Sequence, residues 1–258
     1  MNNLNLKNIT EQLIDTFVEA GQIAKEISQR GVKITIKPDK SPVTDGDLAV
    51  DKILTYKIKN LTPNIPIISE ETVDLNTNNV NKSFWLIDPI DGTRDYIKKK
   101  DEYTLNAALI IDLKPVIGIV YAPAKSRLFF SYGKGSAFEI NKGDKIILNC
   151  KKINMSEIIG LENSGTTPSE VLKIYEKYKV SKRLRISSSL KFCILAAGEA
   201  DIYAAKARAF EWDIAAGHTI LEHAGGSITT HGEENFLYGK KDYKNLGIIA
   251  KRSNDLEK

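Results

Sequence analysis

The pattern of apolar and polar positions divides the chain into two halves that differ in the order of their predicted helices and strands. Apolar residues recur at helical spacing over residues 9–30 and 47–61, and an alternating pattern at 32–36 predicts a strand with one solvent-facing side. Further strands are predicted at 67–69, 84–87, 103–111, 116–121, 128–132, 137–140 and 145–148, the last five as an antiparallel meander. Residues 1–150 are therefore predicted to form an α+β half whose sheet covers the two helices.

In residues 151–258 short strands alternate with helices. Strands are predicted at 158–161, 184–186 and 201–203. Helices are predicted from the capping box of residues 167–170 (TPSE) to 178, from the serine cap at 187–189 to 197, and from 211 to 224. This alternation predicts an α/β half that shares one extensive interface with the first.

Composition excludes several protein classes. With 42% hydrophobic and 27% charged residues, the 258-residue chain is predicted to be an ordinary globular protein rather than a disordered or fibrous one. The first residues lack the apolar core of a signal peptide, so we expect a cytoplasmic protein, with peripheral association at the inner membrane left open. Cys150 and Cys193 lie too far apart for a CxxC site and are predicted to be buried, unpaired thiols. A net charge of +4 without a dense basic run favours a small anionic ligand over a nucleic acid polymer.

An apolar run that leads directly into two carboxylates is the strongest chemical signal. Residues 84–87 read as a buried strand, and Asp88 follows at its end. Pro89 is predicted to stop the strand, so that a turn brings Asp91 back beside Asp88. Two neighbouring carboxylates repel unless a cation neutralises them, and Mg²⁺ prefers such oxygen ligands. The alternative is an ordinary acidic surface turn.

Other segments offer groups that suit the same site. Gly92 and Thr93 are expected at the start of a short helical turn, where free amides favour an anion. Glu70 follows the strand at 67–69, so two strands ending in acids would line one crevice. Asp213 lies at a helix start beside Trp212 and could complete a metal centre, although alone it is a simple helix cap. Asp47 has the same two interpretations.

Together these segments resemble the inositol monophosphatase-like superfamily of Mg²⁺-dependent, lithium-sensitive phosphatases. The matching stretches are residues 69–71 (SEE), 88–93 (DPIDGT), 212–217 (WDIAAG) and 224–226 (AGG). The resemblance implies a layered αβαβα sandwich and two or three Mg²⁺ ions. It implies metal ligation by Glu70, Asp88, Asp91, Asp213 and the Ile90 carbonyl. It further implies that Glu70, Thr93 and Asp47 activate the attacking water, while Gly92, Thr93 and Asp213 meet the substrate phosphate.

Within the superfamily the chain is most similar to the bacterial 3'(2'),5'-bisphosphate nucleotidases. Residues 41–44 (SPVT), 121–123 (YAP) and 187–193 (SSSLKFC) carry this likeness. It implies hydrolysis of 3'-phosphoadenosine 5'-phosphate to AMP, which clears a by-product of sulfate assimilation. Lys191, one turn into a helix that begins with serines, would receive the second phosphate with help from Ser188; the alternatives are an exposed helix lysine and a helix cap. The substrate would thus contact Glu70, Ile90, Asp91, Gly92, Thr93, Ser188, Lys191 and Asp213.

One departure from this branch concerns the substrate. An arginine is expected where this chain has Ala205, and Lys206 or Arg208 could supply the charge from a shifted position or belong to an exposed basic loop. An inositol or sugar monophosphate phosphatase therefore remains an alternative. A non-catalytic metal and nucleotide sensor is a further alternative, although Asp47 and Thr93 argue against it. The sequence leaves the oligomeric state open.

Overall fold

The computed structural model describes residues 4–75, 81–150 and 153–257 of the protein. Its first elements are helices α1 (Leu6–Arg30) and α2 (Asp45–Leu61), joined by the antiparallel pair β1 (Ile34–Ile36) and β2 (Pro42–Thr44). The prediction of a half-buried strand here was wrong, because every residue of β1 is exposed. Among the strands that the structure describes, β1 pairs only with β2 and joins neither of the larger sheets.

A seven-stranded sheet contains the predicted meander. Its order along the sheet follows the chain: β3 (Ile67–Ser69), β4 (Phe84–Asp91), β5 (Thr104–Ile111), β6 (Lys114–Ala122), β7 (Arg127–Ser131), β8 (Ala137–Asn141) and β9 (Asp144–Ile147). β3 and β4 are parallel, and the remaining neighbours are antiparallel. The short helix α3 (Thr93–Ile97) lies between β4 and β5, as the sequence predicted.

A five-stranded mixed sheet follows in the chain. It consists of β10 (Ile158–Glu162), β11 (Val180–Arg185), β12 (Ile202–Ala205), β13 (Ser227–Thr230) and β14 (Ile248–Lys251), in the order β11-β10-β12-β14-β13. Helices α4 (Ser169–Lys177), α5 (Leu190–Ala196) and α6 (Glu211–His223) connect its strands. Short 3₁₀ segments occur at Pro123–Lys125, Lys241–Tyr243 and Asn254–Glu257. β13 and β14 were not predicted from the sequence.

One predicted helix cap was wrong, and a second was right in its position but not in its hydrogen bond. The N-cap of α4 is Pro168, which has no side-chain acceptor, instead of Thr167 in a capping box. Ser189 is the N-cap of α5, but its hydroxyl donates to Asn106 on β5 instead of capping the helix. In α5 the buried partner Asn106 takes the hydroxyl hydrogen of Ser189, and the Leu190 amide donates to Ser188 Oγ over 3.4 Å.

The elements stack as α1 and α2, the seven-stranded sheet, α5 and α6, the five-stranded sheet, and α4. One core joins α1 and α2 to the Trp85 and Ile87 face of β4, and another joins the Phe84 and Leu86 face to α5, α6 and the second sheet. At Gly118 on β6 an added Cβ would lie 2.4 Å from the Ala216 carbonyl oxygen, so glycine permits α6 to pack closely against this sheet. This arrangement confirms the predicted layered αβαβα fold.

Two other expectations concern single segments and residues. Within residues 4–75, 81–150 and 153–257, no helix combines the length and apolar character needed to cross a membrane. Cys150 and Cys193 are both free thiols, as predicted, but only Cys193 is buried while Cys150 is partly exposed.

Candidate active site

A bulge in β4 directs both of its aspartates to the same side of the sheet. Asp88 pairs with Asn106 and Asp91 pairs with Thr104, so three steps along β4 match two steps along β5. Residues three apart in a regular strand would point to opposite faces, and the extra residue corrects this. The prediction that Pro89 ends the strand in a turn was wrong: β4 continues through Pro89, whose missing amide hydrogen is tolerated in the bulge.

Glu70 reaches the same place from the neighbouring strand. β3 and β4 are parallel with Ser69 opposite Ile87, and the Glu70 amide donates to the Ile87 carbonyl over 3.0 Å. The carboxyl ends of the two strands therefore meet, as the sequence predicted.

Carboxylates from three distant segments converge at this edge. One oxygen from each of Glu70, Asp88 and Asp213 lies within 4.8 Å of the other two. Asp88 is 1% exposed, and its Oδ1 atom has no hydrogen-bond partner among the described residues. A buried carboxylate oxygen without a donor is unfavourable unless a cation neutralises it. These carboxylate oxygens are therefore suitable ligands for a hard divalent cation such as Mg²⁺.

The electrostatics of the cluster point the same way. Burial, followed by repulsion from Glu70, Asp91 and Asp213, raises the pKa of Asp88 well above its usual range. Burial and repulsion from Asp91 and Glu70 likewise raise the pKa of Asp213. Burial raises the pKa of Asp91 to about 6, against the opposing effects of Lys191 and the Ser189 amide. These carboxylates therefore share one electrostatic site, to which Asp91 belongs.

Asp213 is held in this position by the start of α6. It is the third residue of the helix, and its Oδ2 accepts a 2.9 Å hydrogen bond from the Phe210 amide. Phe210 is the N-cap, so the interpretation of Asp213 as a simple N-cap was wrong. The bond to Phe210 instead orients the carboxylate beside Asp88.

Asp47 lies at the start of α2 and faces Thr93. Thr44 is the N-cap, and Asp47 accepts hydrogen bonds from the Thr44 amide and hydroxyl at 2.8 and 2.5 Å. Asp47 therefore completes a capping box and is not the N-cap itself. The Thr93 hydroxyl lies 3.2 Å from Asp47 Oδ1 and 3.0 Å from the Ile90 carbonyl. Because a hydroxyl has one hydrogen, Thr93 donates to only one of them at a time.

Gly92 and Ser188 bring the two halves of the chain into contact. Gly92 has a φ of 92°, and an added Cβ would lie 3.1 Å from the Glu102 carbonyl and 3.6 Å from Ser188 Cβ. Only glycine combines that backbone conformation with so close an approach. Ser188 has a φ of 58°, an uncommon left-handed conformation for a serine, next to the site.

Lys191 is buried, so its interpretation as an exposed helix lysine was wrong. Its ammonium donates to the Ser188 carbonyl over 2.6 Å and lies 5.1 Å from the centre of the Tyr203 ring. Burial lowers the pKa of Lys191 to about 8, although Asp91 opposes this shift. The lysine therefore interacts electrostatically with Asp91 and Asp213 of the acidic cluster.

Lys37, Glu71 and Asp51 adjoin the site and were not among the residues singled out from the sequence. The Lys37 ammonium lies 3.2 Å from Glu70 Oε1 and 2.8 Å from Glu71 Oε2. Burial raises the pKa of Glu71 to about 7, although Lys37 opposes this. Asp51, one turn after Asp47, accepts a 2.5 Å hydrogen bond from the hydroxyl of Ser69, which precedes Glu70. Only a helical spacing of acids at 47 and 51 could have indicated Asp51.

The loop after β12 carries the basic residues next to Ala205. Lys206 and Arg208 are both exposed, and Ala205 ends the strand. The Asn245 amide donates to the Ala209 carbonyl over 3.0 Å, and its side chain donates to the Phe210 carbonyl over 2.7 Å. The loop is thus fixed immediately before Asp213. Burial remains the main cause of the raised pKa values of Asp91 and Asp213, and Arg208 opposes the rise in both.

Comparisons with known proteins agree with this arrangement. Residues 5–258 match the inositol monophosphatase family. The chain is 36% identical over 258 aligned positions to the 3'(2'),5'-bisphosphate nucleotidase CysQ of Buchnera aphidicola, covering 95% of this chain and 96% of that protein. It is 33% identical over 221 positions to the enzyme of the same name from Salmonella typhimurium, covering 84% of this chain and 89% of that protein.

A solved structure gives the same result. CysQ from Bacteroides thetaiotaomicron, described as a bacterial member of the inositol monophosphatase family, superposes with a TM-score of 0.79 at 26% identity, covering 96% of this chain and 98% of that one. The match over almost the whole length, the layered fold and the converging carboxylates lead to one conclusion: this chain belongs to the inositol monophosphatase family.

Proposed function

We propose that the protein is a Mg²⁺-dependent phosphomonoesterase that hydrolyses adenosine 3',5'-bisphosphate, a small phosphorylated nucleotide, to AMP and phosphate. The observation that carries the proposal is the convergence of Glu70, Asp88 and Asp213 around a buried carboxylate oxygen that no described residue hydrogen-bonds. Relatives at 27–36% identity bear the name of this activity.

The proposed metal ligands are Glu70, Asp88, Asp91, Asp213 and the Ile90 carbonyl, which together would hold two or three ions. Mg²⁺ bound there would neutralise the phosphate oxygens and lower the pKa of the attacking water. Glu70 would orient that water and accept its proton. The Thr93 hydroxyl would accept a hydrogen bond from the same water while donating to Asp47, which lies 3.2 Å away.

The other substrate contacts come from both halves of the chain. The Gly92 and Thr93 amides at the start of α3 would meet the phosphate that is removed. Ser188 and Lys191 would contact a second anionic group of the substrate on the α5 side of the site, since the Lys191 ammonium is buried there and interacts electrostatically with Asp91 and Asp213.

A substrate panel tests the proposed function. With saturating Mg²⁺, we expect kcat/KM for adenosine 3',5'-bisphosphate to exceed that for inositol 1-phosphate by at least about tenfold, because one charge-assisted contact to the second phosphate contributes that much. Phosphate release under initial-rate conditions measures both values. A preference for inositol 1-phosphate would favour the monophosphatase alternative, and background release from every ester would favour the sensor.

Arg208 offers a second test, aimed at the arginine missing from position 205. Arg208 acts electrostatically on Asp91, Lys191 and Asp213 from an exposed loop that Asn245 holds in place. We expect Arg208→Gln to raise KM for the bisphosphate about tenfold or more and to change KM for adenosine 3'-monophosphate less than about twofold.

Lys206→Gln is the matched control, because Lys206 is exposed on the same loop and carries the same charge. It should leave both Michaelis constants near the wild-type values. Equal effects of Lys206→Gln and Arg208→Gln would mean that the loop attracts anions only through its overall charge.

A further inference from the structure

Three buried polar side chains beside Asp91 take no part in the proposed chemistry. Thr104, Asn106 and Ser189 are each no more than 1% exposed. Thr104 and Asn106 belong to β5, whereas Ser189 immediately precedes α5 in the other half of the chain. Buried polar groups of this kind are retained in a fold when they hydrogen-bond to one another.

The three side chains are linked by two hydrogen bonds, and the donor in each bond can be identified. The Ser189 hydroxyl donates to Asn106 Oδ1 over 2.5 Å, and Thr104 Oγ1 lies 2.9 Å from Ser189 Oγ. Since Ser189 has one hydroxyl hydrogen and uses it for Asn106, Thr104 must be the donor to Ser189. The Ser189 oxygen is thus held from two sides by a single strand.

These three hydrogen-bonded side chains lie directly against the metal-ligand candidates of β4. Thr104 is the cross-strand partner of Asp91, and Asn106 is the partner of Asp88. Paired residues of antiparallel strands place their side chains on the same face of a sheet. Ser189 also contacts the site itself, because its main-chain amide donates to Asp91 Oδ2 over 2.5 Å.

We infer that Ser189 is a positioning residue: its hydroxyl, held by Thr104 and Asn106, fixes the amide that orients the Asp91 carboxylate for metal binding. The inference rests on the proposed function only in taking Asp91 as a metal ligand. The same contact holds the start of α5, with Ser188 and Lys191, against β5. The Ser189 hydroxyl therefore also sets the position of these proposed substrate contacts relative to the proposed metal ligand Asp91.

Ser189→Ala tests the inference. The substitution leaves Asn106 Oδ1 and the Thr104 hydroxyl without their buried partner and frees the amide to move away from Asp91. Groups that orient metal ligands typically change metal affinity by about 10- to 100-fold. We expect calorimetric titration of the metal-free protein with Mg²⁺ or Mn²⁺ to give about tenfold weaker binding, and the Mg²⁺ concentration for half-maximal activity to rise in parallel.

Ser131→Ala is the matched control. Ser131 is 0% exposed on β7 of the same sheet, and its hydroxyl lies 3.1 Å from His223 Nδ1, so the variant loses an equally buried hydrogen bond outside the candidate site. It should lower the unfolding temperature but leave Mg²⁺ affinity unchanged. The inference is wrong if Ser189→Ala binds Mg²⁺ as tightly as the wild type.

A second pair of variants decides the matter even if Ser189→Ala does not fold. Thr104→Val keeps the shape of the side chain and removes the donor, whereas Thr104→Ser keeps the donor. We expect weaker Mg²⁺ binding for valine and near wild-type binding for serine, and equal affinities in the two variants would contradict the inference. Metal titration needs no turnover, so a protein that binds Mg²⁺ but hydrolyses no ester would overturn the proposed function alone.

Discussion

Asp91→Asn is expected to abolish phosphate release while leaving the fold intact. Asp91 adjoins Asp88, Asp213 and Glu70, and the asparagine would offer the cations a neutral amide instead of a carboxylate. We expect kcat/KM to fall by at least about 10³-fold, which corresponds to ~4 kcal/mol of lost transition-state stabilisation. Phosphate release at saturating Mg²⁺ measures the change.

The same variant should lose activity without losing stability. Asparagine keeps an acceptor for the Ser189 amide and removes a carboxylate whose pKa is raised to about 6 by burial. The unfolding temperature of the metal-free protein should therefore be unchanged or higher. Asp144→Asn, at an exposed position of β9, is the matched control and should change neither property. An Asp91→Asn protein with more than about a tenth of the wild-type activity would contradict the assignment of Asp91 as a metal ligand.

The sequence predicted the residue types of the site better than the backbone that presents them. Asp88 and Asp91 were expected to lie together, but by a turn after Pro89. A bulge produces the same result, because it returns residue 91 to the face occupied by Asp88. The bulge depends on how β4 registers with β5, which is a nonlocal property that no pattern within residues 84–93 records.

The groups missed in the sequence are those that support the site from elsewhere in the chain. Lys37 looked like one of several polar positions in an alternating segment, and its contacts with Glu70 and Glu71 arise only when the β1–β2 pair lies beside the end of β3. Ser189 carried a local signal for a helix cap, which the hydrogen bond to Asn106 overrides. Local propensity is a weak guide where a buried partner is available.

The division of the chain shows a similar limit. The seven-stranded sheet is built from residues 67–147 and the five-stranded sheet from residues 158–251. The assignment of residues 1–150 and 151–258 as separate halves stays a prediction. α5 and α6 pack against both sheets through one continuous core, so the two sheets share their packing. β13 and β14 are four residues each, and such short strands are defined by their neighbours more than by their own pattern.

The metal-free protein is expected to lose stability as the pH rises from about 4 to 7. Burial raises the pKa of Asp91 from 3.8 to about 6 and that of Glu71 from 4.5 to about 7, and the pKa values of Asp88 and Asp213 move in the same direction. A carboxyl whose folded pKa is raised contributes stability below its unfolded pKa, and that contribution is lost as the pH rises through the folded pKa.

Mg²⁺ should cancel this loss, because a divalent cation binds the ionised carboxylates that otherwise repel one another. Thermal unfolding with a chelator and with Mg²⁺, at pH 5 and pH 7.5, measures both effects. We expect Mg²⁺ to raise the unfolding temperature by about 5–10 °C at pH 7.5 and much less at pH 5, where protons compete for the same oxygens. Asp91→Asn should reduce the difference between the two pH values, whereas Asp144→Asn should preserve it. An equal gain at both pH values, with no fall in the chelated protein between them, would mean that these carboxylates do not form one cation site.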